Sequence, residues 1–231
     1  MLEVKNLSIT YKSTGQKVFD DLSFDLKKGE ILAIMGPSGC GKTTLLNAVA
    51  SLLGNDEIAK KGKILSSDIH SIRIVFQESR LLPWRNVAKN IALGLEAENI
   101  EKNSILEKVN SVIKLVGLTK YAGYYPHQLS IGMKQRVNFA RAIACNPDLL
   151  LLDEPFSALD SGIKKEIISE FKKIIVRKKI TTIFVTHSEA EAKALADRTL
   201  TLGTSFSSMK DNRKATENIL DVYDNLIEFD E

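Results

Sequence analysis

Cysteine is scarce in this chain of 231 residues: Cys40 and Cys145 are the only two. They stand far apart and in no metal-ligand spacing, so a reduced, cytosolic protein is the simpler reading than a disulfide framework. An excess of one charge is missing as well. Lys and Arg number 32 against 29 Asp and Glu, a formal net charge of +3. That balance gives no reason to expect nucleic acid or an anionic lipid surface as a partner. No apolar run approaches the roughly 20 residues that span a bilayer. The opening Met1-Leu2-Glu3-Val4-Lys5 alternates charge with apolar residues, which predicts no secretory leader. Any work at a membrane then needs other polypeptides to supply the transmembrane part. Internal repeats, coiled coil and low-complexity tracts are absent too. What is present is a composition of 44% hydrophobic and 26% charged residues, enough for one soluble domain with a sizeable core.

The order of patterns along the chain predicts an α/β architecture. Leu2 to Thr10 alternates apolar and polar residues, as does Val18 to Leu26, and both read as half-buried strands. Ile31 to Met35 is an apolar run that feeds a glycine-rich turn, and Thr43 to Leu53 reads as a helix ending at Gly54. Ile72 to Phe76 is a further β-branched strand. Between about Leu81 and Asn146 the spacing becomes helical, through Val87, Ala88, Ile91, Leu95 and then Ile105, Val109, Val112, Ile113, Val116. This stretch reads as a helical sub-domain inserted into the α/β core. Leu149 to Leu152 is a strand too apolar to face water on either side. Ile163, Ile167, Ile168, Phe171, Ile174 and Ile175 form an apolar stripe on a helix whose lysines, Lys164 among them, read as its solvated face. Thr181 to Thr186 is another buried strand and Ser188 opens a helix. Strands alternating with helices imply a mainly parallel sheet covered on both faces. Beyond about residue 205 the chain is polar, with a weak helical stretch from Ala215 to Leu226.

Gly36-Pro37-Ser38-Gly39-Cys40-Gly41-Lys42-Thr43 fits the GxxxxGK[ST] pattern, directly after a strand and before a helix. Such glycines let the backbone wrap so that its N–H groups point at phosphate oxygens, and the helix start adds its dipole. Lys42 can then reach the β- and γ-phosphates, the Thr43 hydroxyl can ligate Mg²⁺, and Thr44 sits near the α-phosphate. The competing reading is a glycine-rich turn without a ligand. Cys40 reads as a small filler of the loop. After the leucine strand, Asp153 and Glu154 place two carboxylates at the strand's end. In a phosphate-loop protein that end points at the metal, so Asp153 is expected to hold Mg²⁺ and Glu154 to polarise the attacking water. A solvated strand end is the alternative for the pair taken alone.

These two motifs fit kinases, GTPases and helicases equally. Leu129-Ser130-Ile131-Gly132-Met133-Lys134-Gln135-Arg136 separates them, because it resembles the LSGGQ signature of the ABC ATPases and lies about 20 residues before the acidic pair. Other landmarks of that family follow in order. Tyr11 resembles its adenine-stacking aromatic residue and Gln77 its Q-loop glutamine. Ser157-Ala158-Leu159-Asp160 resembles its D-loop and His187 its switch histidine. The resemblance runs from about residue 2 to about residue 203. It implies a P-loop NTPase of the ABC ATPase type: a mainly parallel sheet, an antiparallel β edge and the inserted helical sub-domain. The implied layout is one domain over 1–231, with a RecA-like core at about 1–80 and 147–205. The helical sub-domain then covers about 81–146, and a short extension covers 206–231.

The resemblance further implies ATP and Mg²⁺ as ligands, with Thr43, Gln77 and Asp153 near the metal and Glu154, His187 and Gln77 catalytic. Ser130 is a natural N-cap for a helix from Gly132 to Ala144, so its hydroxyl and the free N–H groups make an anion site. In the family that site, with the D-loop Asp160, faces the nucleotide on the P-loop of a second copy, making ATP the glue of a head-to-tail dimer. Ile131 departs from the pattern where a glycine is usual. Ser130 and Gly132 retain the contacting types.

The stretch Val75 to Trp84, followed by Asn86 to Ile91, most resembles the importer branch that handles nitrate, sulfonates and taurine. In that branch the segment after Gln77 receives a helix of the membrane subunit, and Leu81, Leu82 and Trp84 suit such a surface. Transmembrane permease subunits and, indirectly, a solute-binding protein are therefore expected, with the chain on the cytoplasmic face of the membrane. An exporter motor and a soluble non-transport ABC ATPase stand as alternatives. No regulatory domain is expected after Gly203, and His70 and His127 read as surface residues.

Overall fold

The computed structural model describes residues 2–97, 101–203 and 209–213. In chain order the elements are β1 (Leu2–Tyr11), β2 (Lys17–Leu26), β3 (Ile31–Met35), α1 (Lys42–Val49), β4 (Ile58–Ser66) and β5 (Ile72–Val75). Then come α2 (Val87–Glu96), α3 (Lys102–Leu115), α4 (Ile131–Ile143), β6 (Leu149–Asp153), α5 (Ser161–Lys178), β7 (Thr181–Thr186), α6 (Glu189–Leu195), β8 (Arg198–Leu202) and β9 (Met209–Arg213). The six-stranded sheet has the order β5-β6-β7-β3-β8-β9, parallel except for the last pairing. A second sheet, β2-β1-β4, is antiparallel throughout. The architecture is thus α/β with a parallel sheet and a separate antiparallel one, as the resemblance implies.

Two apolar clusters lie on opposite faces of the parallel sheet. From β3, Ile31 and Ala33 enter one cluster while Leu32 and Ile34 enter the other. From β6, Leu150 and Leu152 divide in the same way from Leu149 and Leu151. The period of two survives inside runs that are buried throughout, because both faces are covered. Helices α2 to α6 close the first face, and α1 with the antiparallel sheet closes the second. Phe139 and Phe171 stack with their centroids 3.7 Å apart where α4 meets α5.

In β1 the buried positions change from Leu2 and Val4 to Leu7 and Ile9, an even-to-odd slip that would turn half the strand outward. A register shift between Val4 and Leu7 absorbs the slip, with Asn6 at φ 49°. Helix α1 stops at Val49, short of the expected Leu53. Ser51 takes the left-handed conformation at φ 57°, its N–H bonds to Ala48 O, and the Leu52 N–H returns to Asn47 O. This is a Schellman closure built on serine, so no glycine marks the end. Three strands went unread in the sequence. β4 exposes most of its lysine-rich length, so no alternation betrays it. β8 is short, and β9 extends the sheet past Gly203, where the core was expected to stop. The expected helix from Ala215 to Leu226 lies outside the described residues. Ile163 is exposed at 47%, so the buried stripe of α5 begins only at Ile167.

Candidate functional site

The C-terminal ends of β3, β6 and β7 bring together residues that are far apart in sequence. The loop after β3 carries Gly36, Pro37, Ser38, Gly39 and Cys40 to Gly41, which caps α1 at φ 98°. A side chain at Gly41 would strike Val18 and Phe19 of β2, so both conformation and space demand glycine there. Pro37, Ser38 and Gly39 are exposed, while Cys40 is half-buried and rests its thiol against Gly36.

Lys42 is buried at 6% exposure and donates from Nζ to the Gly36 and Pro37 carbonyls, both at 2.9 Å. Its ammonium is 3.9 Å from Glu154 Oε1. The other Glu154 oxygen lies 3.3 Å from His187 Nδ1, at the end of β7. Glu154 takes φ 43° and anchors its N–H on Val185 O, a backbone kink that accompanies the placement of its carboxylate between the Lys42 ammonium and the His187 imidazole.

Beside this group the Thr43 hydroxyl donates to Asp153 Oδ1 at 3.1 Å. Burial pushes the Asp153 carboxyl above its ordinary pKa, although the Thr43 hydrogen bond pulls the other way. No cluster of three His, Cys, Asp or Glu side chains capable of holding a metal occurs among the described residues. The hydroxyl and buried carboxylate instead offer a small set of hard oxygens, the donor chemistry that suits Mg²⁺ rather than a softer ion.

Tyr11 is half-buried, with its hydroxyl 2.9 Å from Thr44 Oγ1, at the start of α1. Gln77 is exposed just after β5, and its Nε2 donates to Ser157 Oγ at 3.3 Å. Ser157 in turn donates to the Glu154 carbonyl at 3.0 Å. Ser130 caps α4 by accepting the Met133 N–H, and the helix begins at Ile131, one residue before the expected Gly132. Among the described residues, no hydrogen bond joins Ser130, Gly132 or Asp160 to the phosphate loop; Ser130 and Asp160 bond within the starts of α4 and α5. Ile131 is 55% exposed, and Gly132 faces Ile163 and Ile167 of α5. Met133 stands where LSGGQ ends in glutamine, a second departure that the sequence reading passed over.

That reading also missed a buried support for His187. Glu191, 4% exposed, accepts from Thr186 Oγ1 at 2.6 Å and pairs with Lys164 at 2.9 Å. Lys164 therefore does not belong to a purely solvated face. Ser188-x-x-Glu191 is half of a capping box, and the Ser188 hydroxyl accepts the Glu191 N–H, which was the available signal. His70 and His127 are exposed, as expected.

A phosphate loop on β3, an acidic strand end on the adjacent β6–β7 ladder and a histidine at the end of β7 define a P-loop nucleoside triphosphatase. Residues 19–157 match the ABC transporter family. The chain is 43% identical over 203 residues to a spermidine/putrescine import ATP-binding protein of Borreliella afzelii, covering 86% of this chain and 58% of that protein. It is 41% identical over 198 residues to a taurine import ATP-binding protein of Escherichia coli O157:H7, covering 85% of this chain and 77% of that one. Among solved structures, a dimeric ATP-binding cassette bound to ADP and phosphate matches with a TM-score of 0.78 at 28% identity. That match covers 93% of this chain and 100% of that one. The chain belongs to the ABC transporter family as an ATP-binding subunit, and its activity is ATP hydrolysis coupled to transport. No helix among the described residues is long and apolar enough to cross a membrane.

Proposed function

We propose that this chain is the ATP-driven motor of an importer, coupling closure of a two-cassette dimer to uptake of a small solute of the nitrate, sulfonate or taurine class. The observation that carries the motor reading is the Glu154 carboxylate, held between Lys42 at 3.9 Å and His187 at 3.3 Å beside the Thr43–Asp153 pair. In this reading the loop from Gly36 to Thr44 receives the triphosphate on its N–H groups. Lys42 exchanges the Gly36 and Pro37 carbonyls for β- and γ-phosphate oxygens. Glu154 takes the proton of the attacking water, and His187 holds Glu154 and the γ-phosphate in register. Thr43, Asp153 and Gln77 would hold Mg²⁺, which neutralises charge on the phosphates when bound. Tyr11 stacks on adenine. Ser130, Gly132 and Asp160, which no hydrogen bond among the described residues joins to this chain's own loop, act on the nucleotide of the second copy.

The layout proposed is a single cassette: a core at about 1–80 and 147–205, a helical sub-domain at about 81–146 and an extension at 206–231. The importer assignment rests on the segment from Gln77 to Trp84, with Trp84 at 71% exposure, and on relatives whose names state import. One of those relatives is named for polyamines and the other for taurine, at nearly equal identity, so identity ranks neither solute class above the other. The sulfonate-like assignment rests on the resemblance of residues 75–91. Permease subunits would hold the chain on the cytoplasmic face of the membrane, with a solute-binding protein reached only through them. Affinity purification from detergent-solubilised native membranes tests this. A multi-span permease in the eluate is the expected result, and exclusively soluble companions would overturn the transport role while leaving the hydrolysis intact.

A further inference from the structure

At the N-terminal ends of β3, β6 and β7, opposite the end that carries Lys42, Asp153 and His187, the chain encloses a cavity of about 340 Å³. Ile69, Pro147 and Ile180 give it apolar walls, and Pro147 and Ile180 are buried. Lys28, Lys178 and Lys179 line it as well, all three at exposed positions. None of the three forms an ion pair among the described residues; Lys178 donates to Asn146 Oδ1 at 3.1 Å. Two carboxylates also stand in the lining. Asp148 accepts the His70 and Ser71 N–H groups at 2.9 and 3.0 Å, bonds that hold its pKa below the ordinary value. Asp68 is then the one carboxylate left to set against three ammonium groups.

The chain carries a segment of complementary character, and it starts near this cavity. β9 runs antiparallel to β8, with Arg213 opposite Arg198. Arg198 is level with Leu32 of β3, and the adjoining Ile31 is level with Thr182 of β7, next to Thr181 in the cavity wall. The chain therefore leaves β9 at the cavity's end of the sheet, three strand spacings or about 14 Å away. About five extended residues cross that distance. Beyond Arg213 the sequence holds six carboxylates, Glu217, Asp221, Asp224, Glu228, Asp230 and Glu231, against the single base Lys214. Ile219, Leu220, Tyr223, Leu226 and Ile227 recur at helical spacing, and Glu217, Asp221, Asp224 and Glu228 recur at the same spacing on the other side. An apolar stripe of that kind calls for a surface to cover it.

We propose that residues 214–231 turn back beneath the sheet and dock at this cavity. Their apolar side seats against Ile69, Pro147 and Ile180, and their carboxylates pair with Lys28, Lys178 and Lys179. Exposed ion pairs contribute little by themselves, so the seated apolar side chains hold the segment and the lysines orient it. Charge alone does not choose the place, because Lys60, Lys61 and Lys63 are exposed along β4. The tether favours the chain's own segment over a separate partner, since it keeps the segment at a high effective concentration. Docking at the N-terminal strand ends leaves the nucleotide site open and does not depend on the solute carried.

Zero-length carbodiimide coupling of the full chain tests this, on an equal mixture of ¹⁴N- and ¹⁵N-labelled protein. Proteolysis and mass spectrometry then read which lysine joins which carboxylate. The expected result is amide links from the acids of residues 217–231 to Lys28, Lys178 or Lys179, each link within one isotope. Leu220→Ser combined with Leu226→Ser keeps every lysine and carboxylate and should lower the yield about tenfold or more. Lys178→Glu, an exposed change, should lower the links to Lys28 and Lys179 about threefold; it carries the test alone if the serine variant does not fold. The proposal is overturned by unaltered yields in a folded variant. Links made chiefly to Lys60, Lys61 or Lys63, links that join the two isotopes, or no links to the three cavity lysines overturn it equally.

Discussion

Replacing Glu154 by glutamine keeps the shape of the side chain and removes its charge, which separates binding from chemistry at this site. The carboxylate lies 3.9 Å from the Lys42 ammonium and 3.3 Å from His187 Nδ1. An ion pair at about 4 Å is worth about 1 kcal/mol in water and about 4 kcal/mol at an effective dielectric of about 20. The side chains of Lys42 and Glu154 are 5% and 22% exposed, which places the pair between those limits. Glu154 therefore competes with phosphate for Lys42, and its charge also repels the nucleotide. Glu154→Gln should bind ATP at least as tightly as the parent chain, by up to about fivefold for about 1 kcal/mol regained. The chemical step moves the other way. Loss of a general base costs about a hundredfold to ten-thousandfold, or about 3 to 5 kcal/mol of barrier. Tight binding with slow hydrolysis should accumulate an ATP-bound dimer. Phosphate release at saturating ATP–Mg²⁺ and size-exclusion chromatography in the same buffer read the two effects. Turnover within about threefold of the parent would refute the base assignment, since that is far below the range such a group contributes. A monomer at saturating ATP–Mg²⁺ would count against the sandwich, or show that Ile131 weakens it.

Lys42→Ala should weaken ATP binding by about tenfold to a hundredfold, the range for losing charge-assisted hydrogen bonds; unchanged affinity by calorimetry would undermine the phosphate-loop assignment. A bulky maleimide on Cys40, whose thiol packs against Gly36 inside the loop, should block nucleotide binding, and alkylated protein that still binds ATP would refute this. Asp153→Asn tests the buried carboxylate. Because burial raises its folded pKa, the folded state binds more protons than the unfolded chain between the ordinary and raised values. Stability falls as pH rises through that window and stays reduced above it. The asparagine should therefore raise the melting temperature of the nucleotide-free protein at neutral pH and change it less at acidic pH. It should also forfeit stabilisation by ATP–Mg²⁺. Scanning fluorimetry at acidic and neutral pH checks both, and a lower melting temperature at neutral pH would sink the argument.

The parts of the site that were legible beforehand are those written in contiguous residues. The phosphate loop shows as glycines at fixed offsets before Lys42 and Thr43, the acidic pair as two carboxylates after four leucines, and the α4 cap as Ser130. The strand–loop–helix context is local too, and so it transferred intact. Elements whose boundaries depend on partners did not. The end of α1 rests on a left-handed serine, β4 on pairing with β1 rather than on burial, and β9 on the free edge of β8.

The sequence by itself determined the class: an α/β chain with a phosphate loop, an acidic strand end and a signature in the right order. Local backbone preferences and the period of apolar residues carry that information. Only the tertiary structure decided that Glu154 stands between Lys42 and His187, that Glu191 and Lys164 brace the loop bearing His187, and that α4 and Asn90 hold residues 76–86. Those contacts join side chains across long stretches of chain, and their angles follow from how strands register and helices pack. No spacing along the chain encodes a hydrogen bond from Arg141 to the carbonyl of Arg80, because that bond exists only once α4 has been laid against the end of β5.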